Sequence, residues 1–182
     1  MYGQRDQYEN MLRHLGCQQI GSGLYSNVFA FPGSDKVIKV ANYDRWPEYI
    51  LWSTKNGHAG KYAPKVFSLK FKEDFYVAVM ERLVCTIGEM KCPNTGYRMK
   101  CEQTKAYHLA TGFGYLTCQD EDRPDDFIAY LQTLRDNKLA GDCHEGNVML
   151  RHDGQPVVTD PCSGVFSSSK YRIKNGELTS PV

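Results

Sequence analysis

Two periods of apolar and polar residues run along this chain, and the change from one to the other divides it into predicted elements. Apolar positions three or four residues apart predict a helix over residues 5–15, which Gly16 ends. Alternation with a period of two then predicts five strands, and a helix over residues 44–52, ending near Gly57, interrupts them. The predicted strands cover residues 17–23, 27–31, 36–40, 65–71 and 75–80. The first half is therefore predicted to form a five-stranded antiparallel sheet with a helix.

Helical periodicity dominates the second half, and one more hairpin follows it. A weak pattern predicts a helix over residues 98–109, and a stronger one begins at residues 124–126, where an acidic first turn suits the helix dipole. The apolar face of this second helix holds Phe127, Ile128, Leu131 and Leu134. Two short strands, 148–151 and 156–159, are joined through Asp153 and Gly154, a dipeptide typical of hairpins. The tail after Asp160 is polar, and we predict no element in it.

Composition and charge exclude several classes of protein. The 182 residues suit one domain, and 41% hydrophobic with 24% charged residues is ordinary for a globular chain rather than a disordered or fibrous one. The 22 basic and 21 acidic residues leave a net charge of +1, so we expect no strong binding to nucleic acid or to an anionic membrane. No apolar run approaches the roughly 18 residues of a membrane span, and the first residues lack the apolar core of a signal peptide.

Seven cysteines is an odd number, and since the sequence shows no export signal we expect reduced thiols in a cytosol. No pair has the C-x-x-C spacing, and none belongs to a zinc-ribbon pattern. Cys143 and His144 are adjacent, but a metal site needs three or four convergent ligands, and no second cluster accompanies them. The cysteines are Cys17, Cys85, Cys92, Cys101, Cys118, Cys143 and Cys162.

A glycine pair opens the first motif that carries chemistry. Gly21-Ser22-Gly23 lies between two predicted strands, whereas a dinucleotide-binding fingerprint needs a helix after its glycines. Glycines between two strands suit a flap of backbone over phosphates, because glycine lets the amides approach closely. A plain hairpin is the alternative interpretation.

Lys39 is the second motif, since it is a lysine among apolar residues of a predicted strand. Alternation places Val37 and Lys39 on the same face of that strand. An ammonium group on a buried face requires an anion, and a phosphate would serve. Taken alone, Lys39 could equally be an exposed lysine of an edge strand.

Asp142, Asn147 and Asp160 form the third and most specific motif. Asp142 and Asn147 lie five residues apart in one loop, and the hairpin that follows returns Asp160 toward them. Asn147 and Asp160 supply the hard oxygens that magnesium binds together with phosphate and water, which leaves Asp142 to orient a nucleophile. Each residue singly could also be an ordinary turn former.

Together these motifs resemble those of the protein kinase-like superfamily, over most of the chain. The glycine loop, the lysine-bearing strand and the spacing from Asp142 to Asn147 all match the superfamily pattern. Within it, the chain is most similar to the early serine/threonine protein kinases of T-odd podophages. The shared sequence segments are the strand over residues 36–40, the run over residues 142–149 and the Thr-Asp-Pro that contains Asp160.

The resemblance implies a role for each site residue. Lys39 would hold the α- and β-phosphates of ATP, Asp142 would orient or deprotonate the substrate hydroxyl, and His144 stands in place of the catalytic-loop lysine. Asn147 and Asp160 would hold Mg²⁺. Glu48 is the expected helix partner of Lys39, with a solvent-facing glutamate as the alternative. The remaining residues implied to bind ATP are Gly21, Ser22, Gly23, Tyr25, Ser26, Val28, Val37, Met80, Glu81, Leu83 and Met149.

Departures from the superfamily pattern carry expectations of their own. Gly141 stands where regulated kinases have the arginine that receives an activation-loop phosphate, so we expect activity without loop phosphorylation. Pro161 replaces the phenylalanine after the metal-binding aspartate, and proline favours an extended backbone at Asp160. Ser167, Ser168 and Ser169 are candidates for autophosphorylation, or simply a serine-rich loop.

The implied fold is α+β, a reduced two-lobed kinase with an N-lobe over residues 1–83 and a mainly helical C-lobe over residues 84–182. The implied activity is ATP-dependent phosphorylation of serine and threonine hydroxyls of host proteins, in the cytoplasm of the infected bacterium, as part of host takeover and shutoff of host gene expression. Because the second lobe is small, a homodimer that covers its apolar surface is a further expectation. Two alternatives stay open: a small-molecule phosphotransferase, since antibiotic-phosphorylating kinases share the histidine at 144, and a non-catalytic binder of a host protein.

Overall fold

The computed structural model describes residues 3–84, 125–143, 147–153, 155–164, 172–174 and 177–179. Three helices lie within these ranges: α1 Gln4–His14, α2 Trp46–Lys55 and α3 Asp125–Asp136. The strands are β1 Gln18–Ser22, β2 Ser26–Ala30, β3 Lys36–Asn42, β4 Val66–Phe71, β5 Phe75–Glu81, β6 Val148–Leu150, β7 Pro156–Val158, β8 Arg172–Lys174 and β9 Glu177–Thr179.

The chain divides into two compact units that interleave along the sequence. The first unit comprises Met1–Ile50, Lys65–Arg82 and Gly164–Val182, and the second comprises Leu51–Pro64 and Leu83–Ser163. The two expected lobes, residues 1–83 and 84–182, are each continuous in sequence, whereas these two units are not, and the boundary between the lobes stays a prediction. The first unit is built around the five-stranded sheet, and the second contains α3 and the β6–β7 hairpin.

All neighbouring strands of the first unit's large sheet are antiparallel, in the order β1-β2-β3-β5-β4. The register pairs Val28 with Lys39 and Lys39 with Ala78, so these three residues share one face of the sheet. Alternation adds Val37 and Met80, which pair with each other, to this Lys39 face.

Helix α1 covers the opposite face of the sheet, because its apolar side chains recur at helical spacing. Leu12 is buried there, and the ring of Tyr8 lies 5.7 Å from the ring of Phe75. The core of this α1 face comprises Leu12, Cys17, Phe29, Val40, Phe75 and Val77. Burying these groups, at about 1.5–3 kcal/mol for a large apolar side chain, is what holds the helix to the sheet.

Helix α2 begins against the Lys39 face. Asp44 caps it, since its Oδ1 accepts hydrogen bonds from the Trp46 N–H at 3.0 Å and from the Tyr76 hydroxyl at 2.8 Å. Trp46 is fully buried and stacks on Tyr76, with 5.8 Å between the ring centroids and 4° between the ring planes. This cap and this stack fix the start of α2 on the sheet.

The second unit packs α3 against an aromatic cluster. The ring of Tyr62 lies 5.3 Å from that of Phe127 and 5.4 Å from that of Tyr130, and Leu131 and Leu134 of α3 are buried. The Tyr62 carbonyl accepts a hydrogen bond from the N–H of Val158, which ties the β6–β7 hairpin to the same cluster. The hairpin is thereby fixed although its strands are only three residues long.

The α+β class with a five-stranded antiparallel sheet is confirmed, and the predicted elements within the described residues end within a few residues of the observed ones. The β8–β9 hairpin is a correction, because we predicted no element after Asp160. The helix over residues 98–109, the serines at 167–169 and Gly154 lie outside the described residues. Across the described part of the chain, no helix combines the length and the apolarity that a bilayer span requires.

Candidate active site

The predicted glycine loop is the turn between β1 and β2. Gly21 pairs with Val28, and the Gly23 N–H donates to the Ser26 carbonyl at 2.7 Å. Leu24 at the tip is 87% exposed. Neither glycine has a left-handed φ, and a Cβ on either would meet protein atoms no closer than 3.5 Å. The fold itself therefore does not require glycine at these positions, which fits a requirement for close approach by a ligand.

Lys39 lies in the middle of the sheet, on the face that carries Val28, Val37 and Met80. Its side chain is only 4% exposed, and its Nζ lies 4.5 Å from the centre of the Trp46 ring. The interpretation of Lys39 as an exposed edge lysine is therefore wrong, since β3 is a central strand. The sheet gathers a cation and three apolar side chains on one surface, which is the combination that a nucleotide base with phosphates needs.

Glu48, the expected partner of Lys39, pairs with another cation in this structure. Its Oε2 accepts hydrogen bonds from Arg45 at 3.2 Å from Nε and 3.0 Å from Nη2. Glu48 is buried, so the alternative of a solvent-facing glutamate is wrong. Its Oε1 is buried without a hydrogen-bond partner among the described residues.

Met80 and Glu81 end β5, where we expected the gatekeeper and the start of the hinge. Met80 is buried on the Lys39 face. The Glu81 N–H donates to the Lys65 carbonyl at 2.9 Å, and the Glu81 Oε1 accepts from the Lys65 N–H at 2.8 Å. The N–H of Glu81 is therefore already bonded to the residue that precedes β4 and does not serve as a donor to an adenine edge.

The second unit brings together Asp142, Asn147 and the segment that contains Asp160. The Asn147 Nδ2 donates to the Asp142 carbonyl at 2.8 Å. The Asn147 carbonyl accepts from Thr159 twice, at 2.7 Å from the N–H and 3.0 Å from Oγ1. The Asp142 N–H donates to the Pro161 carbonyl at 2.8 Å. Asp160 thus lies between two residues whose backbones are bonded to Asn147 and to Asp142.

The oxygens of Asn147 and Asp160 fit a hard cation. Because the Asn147 amide nitrogen is used by the Asp142 carbonyl, its Oδ1 faces away from that bond. The described residues hold no cluster of three or more His, Cys, Asp or Glu side chains. A metal here would therefore take one amide and one carboxylate oxygen, together with phosphate and water, which is the environment that Mg²⁺ prefers.

Two predicted adenine contacts, Leu83 and Met149, also lie in the second unit. Leu83 is buried, and its N–H has no hydrogen-bond partner among the described residues, whereas the next N–H, of Val84, donates to Leu150 at 2.8 Å. Met149 is half-buried in β6 between the buried Val148 and Leu150, so it faces the other side of the hairpin.

His144 lies outside the described residues, but its neighbour Cys143 is described. Burial, and then the negative charge of Asp142, raise the pKa of the Cys143 thiol to about 12. Cys143 is therefore a neutral thiol near pH 7, whereas a nucleophile or a metal ligand needs the thiolate. Cys17 and Cys162 are also buried and unbridged.

Sequence reasoning missed Trp46 and Asp44, which form the immediate surroundings of Lys39. An aspartate just before a helix is a common helix-start signal, and the helix predicted from residue 44 begins with Asp44, so part of this signal was present in the sequence. The position of Trp46 beneath the Lys39 ammonium had no such signal, because it depends on how α2 lies on the sheet.

Comparison with known proteins identifies similar chains. A family model described as bacteriophage T7 protein kinase 0.7 matches residues 5–179. Among solved structures, the kinase PK-1 of the Cydia pomonella granulovirus is similar, with a TM-score of 0.50 and 11% sequence identity. The match covers 96% of this chain and 68% of the granulovirus kinase, and at this identity it shows the fold alone. No curated protein sequence matches the chain.

Proposed function

Because this chain belongs to the bacteriophage T7 protein kinase family, we propose that it transfers the γ-phosphate of ATP to serine and threonine hydroxyls of host proteins. The observation that carries the proposal is the hydrogen-bonded arrangement of Asp142, Asn147 and the segment around Asp160. Phosphoryl transfer requires a group that orients the hydroxyl and oxygens that hold a metal, and these three residues supply both.

In this mechanism the substrate hydroxyl oxygen forms a bond to the γ-phosphorus while the bond from that phosphorus to the β–γ bridging oxygen breaks. Asp142 orients the hydroxyl and accepts its proton, and ADP leaves. Bound Mg²⁺ supplies neutralisation of the phosphate charge, and the residues that would hold it are Asn147 and Asp160. Most of the catalysis is positioning, so each side chain must be held by its neighbours.

The residues of the first unit bind the nucleotide in this proposal. Lys39 pairs with phosphate oxygens, for which its burial is an advantage, because an ammonium attracts an anion more strongly away from water. Val28, Val37 and Met80 give the adenine an apolar surface on the same face of the sheet. The amides of the glycine turn cover the phosphates.

We extend the proposal to the setting of the activity. The family description names a bacteriophage kinase, which supports proteins of the infected bacterium as substrates. Phosphorylation of these proteins in the host cytoplasm would contribute to takeover and to shutoff of host gene expression, an extension that rests on resemblance alone.

The test is transfer of ³²P from labelled ATP, with Mg²⁺, into the proteins of a bacterial lysate. Asp160→Asn and Asp142→Ala are each expected to reduce labelling on the order of 10²–10³-fold. Asp153→Asn is the matched control, since Asp153 is exposed in the β6–β7 turn and, among the described residues, accepts only a local hydrogen bond from the Gln155 N–H. Acid hydrolysis of the labelled proteins should release phosphoserine and phosphothreonine.

Three outcomes would contradict the proposal. Equal labelling by the parent and all three variants would exclude catalysis by this chain and favour a non-catalytic binder. Label in phosphotyrosine alone would contradict the serine and threonine specificity. Transfer of label to an aminoglycoside, with none to protein, would favour a small-molecule phosphotransferase.

A further inference from the structure

A buried carboxylate on helix α1 stands against the glycine turn. Glu9 is 4% exposed, although α1 is a surface helix whose other core contacts are apolar. Its Oε1 and Oε2 accept hydrogen bonds from the Asn27 Nδ2 at 3.0 and 2.9 Å. Asn27 lies one residue after the start of β2, so this contact joins the helix to the strand that leaves the turn.

Four side chains close a ring through this contact. Asn27 Oδ1 accepts from Gln19 Nε2 at 3.1 Å, and Gln19 Oε1 accepts from Arg13 Nη2 at 2.9 Å. The same Arg13 nitrogen lies 3.5 Å from Glu9 Oε2. Gln19 belongs to β1 and Asn27 to β2, so the ring holds both strands of the glycine turn to α1.

Arg5 extends the network to the tip of the turn. Its Nε donates to Glu9 Oε1 at 2.8 Å, and its Nη1 donates to the Tyr25 carbonyl at 3.1 Å. That carbonyl also accepts from the Asn42 N–H at 2.9 Å, at the end of β3. Glu9 therefore reaches the turn by two routes, through Asn27 and through Arg5.

Packing alone does not explain a charged network at this position. Removing a carboxylate from water is costly, and an apolar residue at position 9 would cover the sheet with no such cost. The network instead constrains the directions of the side chains next to it. Val28 follows Asn27 and faces the opposite side of the sheet, beside Lys39, so a shift of Asn27 displaces Val28 on the nucleotide face.

We propose that Glu9 is a positioning residue for ATP, which sets the glycine turn through Asn27 and Arg5 without touching the nucleotide. The inference rests on the proposed function, because it assigns ATP to the Lys39 face. It also makes α1, which contributes no predicted site residue, a part of the nucleotide-binding half of the molecule. Loss of the network frees the turn, so ATP binds more weakly while the chemistry of the bound complex changes little.

Glu9→Gln and Asn27→Asp break the network in opposite ways. The first removes the charge that Arg5 and Arg13 share, and the second places two carboxylates face to face. The double variant Glu9→Gln with Asn27→Asp restores an amide opposite a carboxylate, so it tests whether the contact itself matters. Glu73→Gln is the matched control, because Glu73 accepts a hydrogen bond from Gln4 of α1 at 3.0 Å but lies in the β4–β5 turn.

The measurement is the rate of ³²P transfer into lysate protein as a function of ATP concentration. Each single variant is expected to raise the KM for ATP about tenfold and to keep kcat within about threefold of the parent, and the double variant should recover most of the loss. Glu73→Gln should match the parent. Hydrogen exchange of the amides over residues 18–30, measured without ATP, should be faster in both single variants and normal in the control.

Distinct results would overturn the inference and the proposed function. Unchanged exchange and an unchanged KM in the single variants, in a parent that uses ATP, would overturn the role of Glu9 alone. If kcat and the melting temperature both fall in each single variant while the KM for ATP does not change, the network has only a structural role. A parent that transfers no label and binds no ATP would contradict the proposed function, and the role of Glu9 toward ATP with it.

Discussion

The sheet of the first unit and the hairpin region of the second hold their candidate site residues by different means. Lys39 lies in a central strand that pairs with β5 over seven residues, with α1 packed on the opposite face of the sheet and the start of α2 packed against the Lys39 face. Asn147 instead directly precedes a strand of three residues and is held by individual hydrogen bonds, from its side chain to the Asp142 carbonyl and from Thr159 to its own carbonyl, while Asp160 lies two residues after the second short strand. One set of residues is fixed by register, and the other by single contacts.

In the first unit, the position of a site residue therefore does not depend on its functional group, whereas in the second unit the two depend on each other. A residue fixed by register keeps its place when its functional group is replaced, because the strand pairs through backbone groups. A residue whose functional side chain also makes a structural hydrogen bond, as Asn147 does, loses that bond and its chemistry together. Substitutions in the two regions should therefore fail in recognisably different ways.

The largest effect is expected at Lys39. Lys39→Met should reduce phosphoryl transfer on the order of 10²–10³-fold, because it removes the cation and keeps the apolar stem beside Trp46. Circular dichroism should show a folded protein with the secondary structure of the parent. The transfer rate is measured with labelled ATP under the conditions of the lysate assay.

Lys36→Met provides the matched control on the same strand. Lys36 lies on the opposite face, exposed, with its Nζ 4.7 Å from the centre of the Phe67 ring. Its replacement should leave transfer within about twofold of the parent, since an exposed cation–π contact contributes only about 0.5–1 kcal/mol. A similar loss in both variants would show that β3 tolerates no substitution and would remove the contrast between the two regions.

A smaller but mixed effect is expected at Asn147. Asn147→Ala removes both the oxygen assigned to the metal and the hydrogen bond to the Asp142 carbonyl, so kcat should fall on the order of 10²-fold. The Mg²⁺ concentration that gives half-maximal rate should rise as well. Both quantities come from a titration of the transfer rate with MgCl₂ at saturating ATP.

Asn137→Ala is the control that shows how much of the effect of Asn147→Ala comes from losing a hydrogen bond alone. The Asn137 Nδ2 donates to the Thr133 carbonyl at 2.8 Å, the same kind of bond at the same length, at the end of α3. This variant should lower the free energy of unfolding by about 0.5–1.5 kcal/mol and leave the Mg²⁺ titration unchanged. A Mg²⁺ requirement that stays constant in Asn147→Ala would show that Asn147 holds no metal.

The smallest effect is expected at Gly141, beside Asp142. A Cβ on Gly141 would lie 2.5 Å from the Ser163 Oγ, so Gly141→Ala must displace that hydroxyl. We expect a loss of about 1 kcal/mol in the free energy of unfolding and a transfer rate reduced a few-fold, both measured against the parent. Adding Ser163→Ala should restore both values, because the hydroxyl is then absent.

If the double variant is as slow as Gly141→Ala alone, the contact with Ser163 does not cause the loss of transfer rate. A restored rate would sharpen the comparison, since it would show a single contact setting the position of Asp142.

The five strands and the helices around them could be predicted because their signals are local. Period-two alternation over residues 36–40 gave both β3 and the face shared by Val37 and Lys39, and the observed strand extends only two residues further. The β8–β9 hairpin had a local signal that we missed, because residues 171–179 alternate polar and apolar positions around Asn175-Gly176, a dipeptide typical of hairpins. The ring around Glu9 was missed for a different reason, since a glutamate on a surface helix carries no local sign that it is buried.

The amino-acid sequence by itself determined which chemical groups this protein brings to its site: a strand lysine, a glycine turn, and an aspartate with an asparagine five residues later. Only the tertiary structure decided the contacts between elements, with Lys39 of β3 over Trp46 of α2 and Glu9 of α1 bonded to Asn27 of β2. The reason is physical. Side-chain direction along a strand follows from the backbone repeat, whereas pairing between elements depends on how helices and loops pack, which no local pattern encodes.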